Sequence, residues 1–256
     1  MSLAPVTIGM SKAQIIARME ADFNFFAQVM LPEVFTIPFP TAYLAKAQLC
    51  NYAAENLHEE LQIGLGLPRG FAKTTLMKLL CARAIIFSKC RYFLCVGSSQ
   101  PKAENIIADV SMLLSSENCV KLFGAALEGA SKNRAVLKVF NFRGKDCVMM
   151  AVGAHGDPRG INVGFKRPDW ILMDDIQSRE CALSAVESAK LKGWMDNTLM
   201  QTKAHYGCVF IYIGNKYNSD HCILSQLEDN PDWKTLVTGA ILSDGTALWP
   251  ALKPIE

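Results

Sequence analysis

The residues most able to do chemistry lie in one ten-residue turn, at 66–75. The turn follows an apolar segment at 61–67 and leads into a helical pattern that begins at Thr74. Backbone N–H groups in such a turn, and at the start of the next helix, point at a bound anion, and a lysine adds positive charge. The stretch therefore predicts a P-loop, a turn that binds phosphate. Its candidate nucleotide-binding residues are Pro68, Arg69, Gly70, Phe71, Ala72, Lys73, Thr74 and Thr75.

This loop departs from the usual spacing G-x-x-x-x-G-K-[ST]. With Lys73 as the lysine, Leu67 and Ala72 stand where the two glycines are expected. A chance Gly-rich turn before a helix is the alternative, so the motif needs support from elsewhere in the chain. The individual roles still fit, because Gly70 permits unusual dihedrals and small Ala72 lets the backbone approach phosphate. Lys73 reaches the terminal phosphates, and the Thr74 hydroxyl is suited to magnesium.

A second candidate is a pair of carboxylates at the end of an apolar strand at 170–173. In P-loop ATPases the first such carboxylate, here Asp174, holds hydrated magnesium, and the second, Asp175, orients or deprotonates the attacking water. Adjacent aspartates at a strand end are also helix N-caps in many proteins. The P-loop lies roughly a hundred residues earlier, a normal spacing for this fold, and favours the ATPase interpretation. Glu180 is the alternative catalytic base.

Two further polar residues are candidates for nucleotide contacts. Asn215 follows an apolar strand at 208–213, where a polar side chain can sense the γ-phosphate. The dipeptide Gly-Asn is equally an ordinary turn signal. Gln48 lies on a predicted helix at 41–60, just ahead of the P-loop strand, and is a candidate for contact with adenine, with ordinary packing as the alternative.

Composition excludes several classes of protein. The chain has 256 residues, half of them apolar, and a net charge of +2, which is too small to indicate nucleic-acid binding by itself. The nine cysteines include no Cys-x-x-Cys pair, so we expect reduced thiols and no zinc site. No secretory signal and no apolar run of about 18 residues is present, and we therefore expect a soluble protein. A basic-leaning middle section is interpreted as solvated surface in preference to a DNA-facing one; it comprises Lys102, Lys121, Lys132, Arg134, Lys138, Arg143 and Lys145.

The order of elements predicts an α/β fold with a mostly parallel central sheet flanked by helices. A capping box at Ser11 and Gln14 begins the first helix. Predicted helices cover 11–31, 41–60, 74–88, 101–114, 120–127 and 181–200. Predicted strands cover 61–67, 91–97, 136–140, 147–152, 170–173, 208–213 and 233–238, with 136–152 a hairpin, 129–133 a polar link, and Asp220 the cap of a last helix.

Together these residues resemble the ATPase domain of the large terminase subunit, the motor that packages DNA into tailed-phage and herpesvirus capsids. The resemblance covers residues 40–250. Its most specific elements are Arg69 four residues before Lys73, the Arg159-Gly160 loop, the strand end at 172–176, and Gly214-Asn215. Many members have Asp-Glu at the acidic strand and Gly-Thr at the last motif. Asp175 and Asn215 depart from those patterns. The identities of the catalytic base and of the γ-phosphate sensor are therefore left open.

The resemblance implies a three-layer P-loop NTPase fold of the ASCE or RecA-like class that hydrolyses ATP with Mg²⁺. Lys73 and the loop amides would hold the β- and γ-phosphates, Thr74 and Asp174 the magnesium, and Asp175 the water. Arg69 would act as a sensor or arginine finger within its own subunit. Arg159 would reach the neighbouring subunit's site, or is a surface arginine in a flexible loop.

The resemblance also implies partners and domain organisation. Expected partners are double-stranded DNA, the capsid portal protein and the small terminase subunit, with a homo-oligomeric ring, a pentamer, when assembled and a monomer in isolation. Its expected location is the host cytoplasm, transiently at the procapsid portal vertex. We predict an N-terminal helical segment at 1–40, the ATPase domain at 41–246 and the start of a linker at 247–256.

Large terminases carry an RNase H-like nuclease domain after a linker that often contains a Trp-Pro, like Trp249-Pro250 here. That domain is expected to be absent from this chain, so no DNA cleavage is predicted. Two alternative functions remain. One is another P-loop nucleic-acid motor, such as a helicase, and the other is a nucleotide-binding regulatory module without turnover.

Overall fold

The computed structural model describes residues 7–158, 163 and 166–254, with the backbone alone for 127–133. Arg159 and Gly160 lie outside the described residues. In the described part, eight strands form one sheet in the order β3-β4-β5-β2-β6-β7-β1-β8. These strands are β1 Gln62–Gly66, β2 Tyr92–Gly97, β3 Leu127–Asn133, β4 Leu137–Phe142, β5 Lys145–Gly153, β6 Trp170–Asp174, β7 Val209–Gly214 and β8 Trp233–Val237.

Strands β5, β2, β6, β7, β1 and β8 pair in parallel, whereas β4 is antiparallel to both β3 and β5. The predicted mostly parallel sheet with an antiparallel hairpin is therefore confirmed. The helices are α1 Lys12–Ala21, α2 Phe23–Met30, α3 Thr41–Glu55, α4 Lys73–Phe87, α5 Gln100–Leu114, α6 Glu117–Phe123, α7 Arg179–Leu183, α8 Ala185–Trp194 and α9 Ile223–Glu228.

Helices cover both faces of the sheet because successive strand residues alternate between two apolar cores. On β2, Phe93 and Cys95 join a core built with α1 to α6. Leu94 and Val96 on the same strand join a second core with residues of α8 and α9. A strand buried on both faces has this pattern of side chains pointing alternately to each side. The molecule thus has the three layers that the resemblance implies.

Several predicted element bounds are wrong. The helix predicted at 11–31 is two helices, because Asp22 has an extended backbone and its side chain accepts a hydrogen bond from Phe25 N at 3.0 Å. The helix at 181–200 is likewise interrupted at Ser184, which caps α8. The predicted link at 129–133 belongs to edge strand β3. Residue 222, and not Asp220, is the N-cap residue of α9.

Two other local predictions, the first capping box and the free thiols, are confirmed. The capping box at the start of α1 is present, since Gln14 N donates to Ser11 Oγ and Ser11 N donates to Gln14 Oε1. All nine cysteines are free thiols, and eight of them are buried. Among the described residues, no helix combines the length and the apolar character that crossing a bilayer requires.

Parallel pairing brings the carboxyl ends of the strands to one edge of the sheet. Gly66 at the end of β1 pairs with Gly214 at the end of β7, and Asp174 at the end of β6 pairs with Ile213. The segments that follow these ends therefore meet at a common edge, as expected for ligand sites in open α/β sheets.

Candidate functional site

The phosphate loop (residues 67–72) connects β1 to α4 through two left-handed residues. Gly70 has φ 77° and Ala72 has φ 53°. The left-handed region favours glycine and costs other residues about 1–2 kcal/mol. Ala72 therefore adopts the conformation for which the usual motif has its second glycine. It is also the N-cap residue of α4 and gives no side-chain cap, which leaves the first N–H groups of the helix open to an anion.

A chain of hydrogen bonds joins this loop to the acidic strand end. Lys73 Nζ donates to Asn215 Oδ1 at 2.5 Å and to Leu67 O at 3.3 Å. Asn215 Nδ2 in turn donates to Asp175 Oδ1 at 2.9 Å. Lys73 and Asn215 are each only 9% exposed. Three residues predicted separately, at 73, 175 and 215, thus form one connected unit.

Burial lowers the pKa of Lys73 and so does the nearby Arg69, whereas Asp175 and Asp174 oppose that shift. The two carboxylates therefore lie close enough to the ammonium to stabilise its charge. This is the convergence that the P-loop interpretation requires, because lysine and acidic strand end must act on the same triphosphate.

Asp174 has an oxygen without a partner. Its Oδ1 is buried and accepts no hydrogen bond from the described residues. Burial, and then repulsion from Asp175, raise the Asp174 pKa to about 6, against the attraction of Lys73 and two further lysines. A buried carboxylate oxygen is costly to leave unpaired. The donor set fits Mg²⁺, which prefers oxygen ligands.

No group of three or more His, Cys, Asp or Glu residues is arranged to hold a metal in the described part of the chain. Magnesium is often bound through one or two carboxylates together with substrate phosphates. Thr74, in the first turn of α4, is exposed and offers a hydroxyl at the phosphate end of the helix.

The two aspartates differ in backbone geometry. Asp175 has φ 48°, a left-handed conformation that Asp tolerates better than most residues, and its N–H donates to Ile213 O at 2.8 Å. The strand thus ends in a turn between the two residues. As a result, the Asp175 carboxylate meets Asn215 while the Asp174 carboxylate keeps a free oxygen.

A cleft of about 510 Å³ lies beside the phosphate loop. Its cations are Arg69, Arg179 and Lys216, of which Lys216 is paired with Glu228 at 2.7 Å. The full lining is Gly66, Leu67, Pro68, Arg69, Arg179, Asn215, Lys216, Tyr217, Val237, Thr238 and Gly239. Its size and positive charge suit a phosphorylated ligand of nucleotide size.

Behind the cleft wall lies a buried lysine. Lys46 on α3 is 1% exposed, and its Nζ donates to Thr238 Oγ1 at 2.6 Å. Burial lowers the Lys46 pKa to about 8. Because the Thr238 hydroxyl accepts from the ammonium, its own hydrogen is free to donate toward an acceptor in the cleft.

The remaining predicted residues are placed as follows. Phe71 is buried, and its carbonyl accepts from Tyr43 Oη at 2.5 Å. Thr75 is half-buried in α4. Glu180 is exposed in the first turn of α7, where its own N–H and the Ser178 hydroxyl hold its pKa below the usual value.

Gln48 is not brought to the phosphate loop. It is exposed on α3 and lines a different cleft, of about 540 Å³, together with Tyr52 and Arg83. The described lining of that cleft includes no phosphate-loop residue. Arg159, the predicted finger for a neighbouring subunit, lies outside the described residues.

Among the cleft residues that the sequence did not predict are Arg179, Tyr217 and Thr238. Arg179 follows Asp175 by four residues, so its nearness to the acidic pair was a usable signal. Thr238 follows β8, and only the strand order β7-β1-β8 reveals that its segment lies next to the loop. Tyr217 lies two residues beyond Asn215 in the same turn.

No protein-family model matches this sequence, and no curated protein matches it. Solved structures do match. The large terminase of a thermophilic bacteriophage, in complex with ADP, is 13% identical, with a TM-score of 0.49 over 81% of this chain and 46% of the terminase. Its complex with ATP-γ-S gives the same values. The chain thus spans about half the length of that protein.

The N-terminal domain of the DNA-packaging ATPase from bacteriophage phi29 is 15% identical, with a TM-score of 0.42 over 70% of this chain and 83% of that domain. In this chain one strand, β7, separates the loop strand β1 from the acidic strand β6, in the order β8-β1-β7-β6-β2. With helices on both faces of a mostly parallel sheet, the chain has a three-layer α/β fold of the P-loop NTPase kind.

Proposed function

We propose that this chain is the ATPase motor domain of a viral large terminase, which hydrolyses ATP to move double-stranded DNA into a procapsid. The observation that carries the ATPase assignment is the hydrogen-bonded chain from Lys73 through Asn215 to Asp175, with the unpartnered Asp174 oxygen beside it. A buried ammonium, two carboxylates and an anion-ready helix start at one sheet edge are the parts that phosphoryl transfer needs.

Binding is the first role of these residues. The Lys73 ammonium and the open N–H groups at the start of α4 hold the β- and γ-phosphates of ATP. The residues that would hold Mg²⁺ are Asp174, through its free Oδ1, and Thr74, through its hydroxyl. The metal would neutralise charge on the phosphate oxygens.

Asp175 has the second role, which is to orient the attacking water and accept its proton. Its carboxylate is fixed by Asn215 Nδ2, so it needs little reorganisation during the reaction. Asn215 is bonded to both Lys73 and Asp175. Asn215 is therefore suited to report whether a γ-phosphate has drawn the ammonium away.

Arginine has the third role, stabilisation of charge on the transferred phosphoryl group. Arg69 and Arg179 both line the cleft beside the loop and are candidates within the same subunit. An arginine in this role is worth on the order of 10³ to 10⁵ in rate. Arg159 stays a prediction for the neighbouring subunit, and Glu180 stays the alternative base.

The same proposal includes translocation of duplex DNA and assembly into a pentameric ring. It also includes the portal protein and the small terminase subunit as partners. The division into a helical segment at 1–40, an ATPase domain at 41–246 and the start of a linker at 247–256 belongs to it as well. The motif resemblance supports these points. A helicase-like motor and a regulatory module without turnover are the competing functions, and one experiment separates the three.

The test measures ATP turnover across a range of protein concentrations, with and without duplex DNA. We expect Mg²⁺-dependent turnover that rises with assembly and with duplex. Lys73→Ala should lower turnover by roughly 10²-fold or more, because it removes a charge aimed at the transition state. Lys190→Ala, which removes an exposed lysine paired with Glu187 on α8, is the matched control and should turn over normally.

Turnover at the wild-type rate in the Lys73→Ala variant would overturn the site. Nucleotide binding without any turnover would favour the regulatory module. Stimulation by single-stranded but not duplex DNA would favour a helicase-like motor.

A further inference from the structure

Four cations meet at the sheet edge opposite the phosphate loop. This basic patch consists of Arg91, Arg143, Lys145 and Lys166. Arg91 directly precedes β2, and Arg143 lies in the turn before Lys145, the first residue of β5. Parallel β2 and β5 begin side by side, where Val148 N donates to Arg91 O at 2.8 Å. The patch therefore lies at the amino ends of the strands, whereas the nucleotide residues lie at their carboxyl ends.

Side-chain contacts and mutual electrostatics show that the four cations are neighbours. Lys166 Nζ donates to Asp146 O at 3.3 Å, next to Lys145. Burial, and then repulsion by Arg91 and Arg143, lower the Lys145 pKa. Burial raises the pKa of Cys147 to about 11, and Arg91, Lys166 and Lys145 are among the groups that influence it. Segments that lie far apart in sequence thus contribute charge to one place.

Two acidic residues, Asp146 and Asp169, lie near the patch, and the Asp169 carboxylate interacts electrostatically with Arg91. Asp146 accepts from Asn141 Nδ2 at 2.8 Å. Asp169 is fully buried and accepts from Arg91 N, Tyr92 N and the Tyr206 hydroxyl. Within the described residues, none of the four patch cations is in an ion pair. Four cations beside two carboxylates leave a net positive charge, which favours a polyanionic partner.

We infer that the basic patch binds the backbone phosphates of duplex DNA. Tyr92 and Phe142, on the strands next to the patch, are buried and present no ring to unpaired bases, which favours backbone contacts over base stacking. Tyr206 is half-exposed, and its hydroxyl is bound to Asp169. The choice of duplex DNA over another polyanion rests on the proposed packaging function. Binding of this kind is independent of sequence and strongly dependent on salt.

The four cations have different surroundings, and these determine which residues are substituted in the test. Arg143 has φ 52°, donates from Nη1 to Ile86 O at 3.1 Å and lies 5.3 Å from the Phe123 ring centroid, so its removal would disturb the hairpin. Lys145 and Lys166 have simpler surroundings. The test variant is therefore Lys145→Ala/Lys166→Ala, and Lys145→Arg/Lys166→Arg keeps the charge.

The experiment measures the affinity of the full chain for a fluorescently labelled duplex at several salt concentrations. Each phosphate contact contributes about 0.9 to the slope of log affinity against log salt, so the double alanine variant should lose about 1.8. Its affinity near 0.1 M salt should fall roughly 10-fold or more. The double arginine variant should bind like the wild type.

Lys190→Ala/Lys234→Ala removes the same charge from two exposed positions outside the patch and is the matched control. Equal weakening by this control, or an unchanged salt slope in the patch variant, would overturn the inference. Tighter binding of single-stranded DNA or of RNA than of duplex would overturn the duplex assignment. A circular dichroism melt of each variant excludes unfolding as the cause.

The same assay separates this inference from the proposed ATPase. Lys73→Ala should bind duplex with the wild-type salt slope, although it has lost turnover. If the wild type hydrolyses ATP and the patch variant binds DNA normally, the inference that the patch binds DNA is wrong and the ATPase proposal stands. If neither the wild type nor any variant hydrolyses ATP, but the patch variant loses duplex binding, the ATPase proposal is wrong and the inference about the patch stands.

Discussion

At the scale of single residues, neighbouring aspartates have different environments. Asp175 shares a hydrogen bond with Asn215, whereas Asp174 has a buried oxygen with no described partner. The proposed reaction would use this difference, because a metal ligand requires a free lone pair and a water-orienting base requires a fixed position. The left-handed backbone turn at Asp175 produces this difference between the two aspartates.

Asp175→Asn tests which carboxylate serves as the base. The amide keeps the shape of the side chain but cannot accept a proton, so turnover should fall by roughly 10²- to 10⁴-fold while Mg-nucleotide binding is retained. Glu180→Gln is the matched control and should retain turnover, because Glu180 is exposed on α7. Turnover and nucleotide affinity are measured separately for both variants. The reverse result would make Glu180 the base.

The raised pKa of Asp174 gives a pH-dependent prediction. Because its folded-state value, about 6, lies above the ordinary 3.8, the folded protein binds this proton more tightly than the unfolded chain does. The stabilisation is fully present below about pH 4 and is lost as the pH rises through 6. Between about pH 5 and pH 7.5 the loss is about 1.4 kcal/mol.

Asp174→Asn should abolish that part of the pH dependence, since the amide does not titrate. The measurement is urea unfolding of wild type and variant, without nucleotide, at several pH values across that range. We expect the wild type to lose stability relative to the variant as the pH rises. Parallel behaviour of the two proteins would contradict the assignment of the raised pKa.

At the scale of elements, sequence patterns predict strands well and helix interruptions poorly. Every predicted strand is present, because apolar runs bounded by turns are strong signals. The break at Asp22 escaped prediction because the apolar spacing continues through it, and only the side-chain cap on α2 stops the helix. Strand β3 escaped because an edge strand does not need an apolar face.

The parts of the site that could be predicted are those attached to strand ends. Lys73, Asp174, Asp175 and Asn215 each follow a recognisable strand or begin a recognisable helix, and parallel pairing brings such ends together. Arg179 and Thr238 could not be assigned with the same ease, because their contributions depend on loop paths. Gln48 was expected near adenine from its position in the chain, yet the path of α3 takes it to another cleft.

At the scale of the whole molecule, an aromatic cluster connects a segment before the phosphate loop and a segment near residue 250 to that loop. Trp249 lies 5.5 Å from Phe39 and 5.3 Å from Tyr43 between ring centroids. Tyr43 donates to the carbonyl of Phe71, and Lys253 Nζ lies 5.0 Å from the centre of the Phe71 ring. The loop is thus supported by residues that lie well before it and far after it in the sequence.

Trp249→Ala should therefore lower both stability and nucleotide affinity. Loss of a buried aromatic side chain costs about 3–5 kcal/mol, and the Tyr43 ring would lose the wall that holds its hydroxyl against the loop. Tyr43→Phe keeps the packing and removes only that hydroxyl, so it should cost less stability, about 1–3 kcal/mol, and still weaken nucleotide binding several-fold. Urea unfolding and nucleotide titration of both variants separate the two effects. Because Tyr43→Phe leaves the Trp249 contacts intact, unchanged nucleotide affinity in that variant alone would mean that the cluster stabilises the fold without positioning the loop.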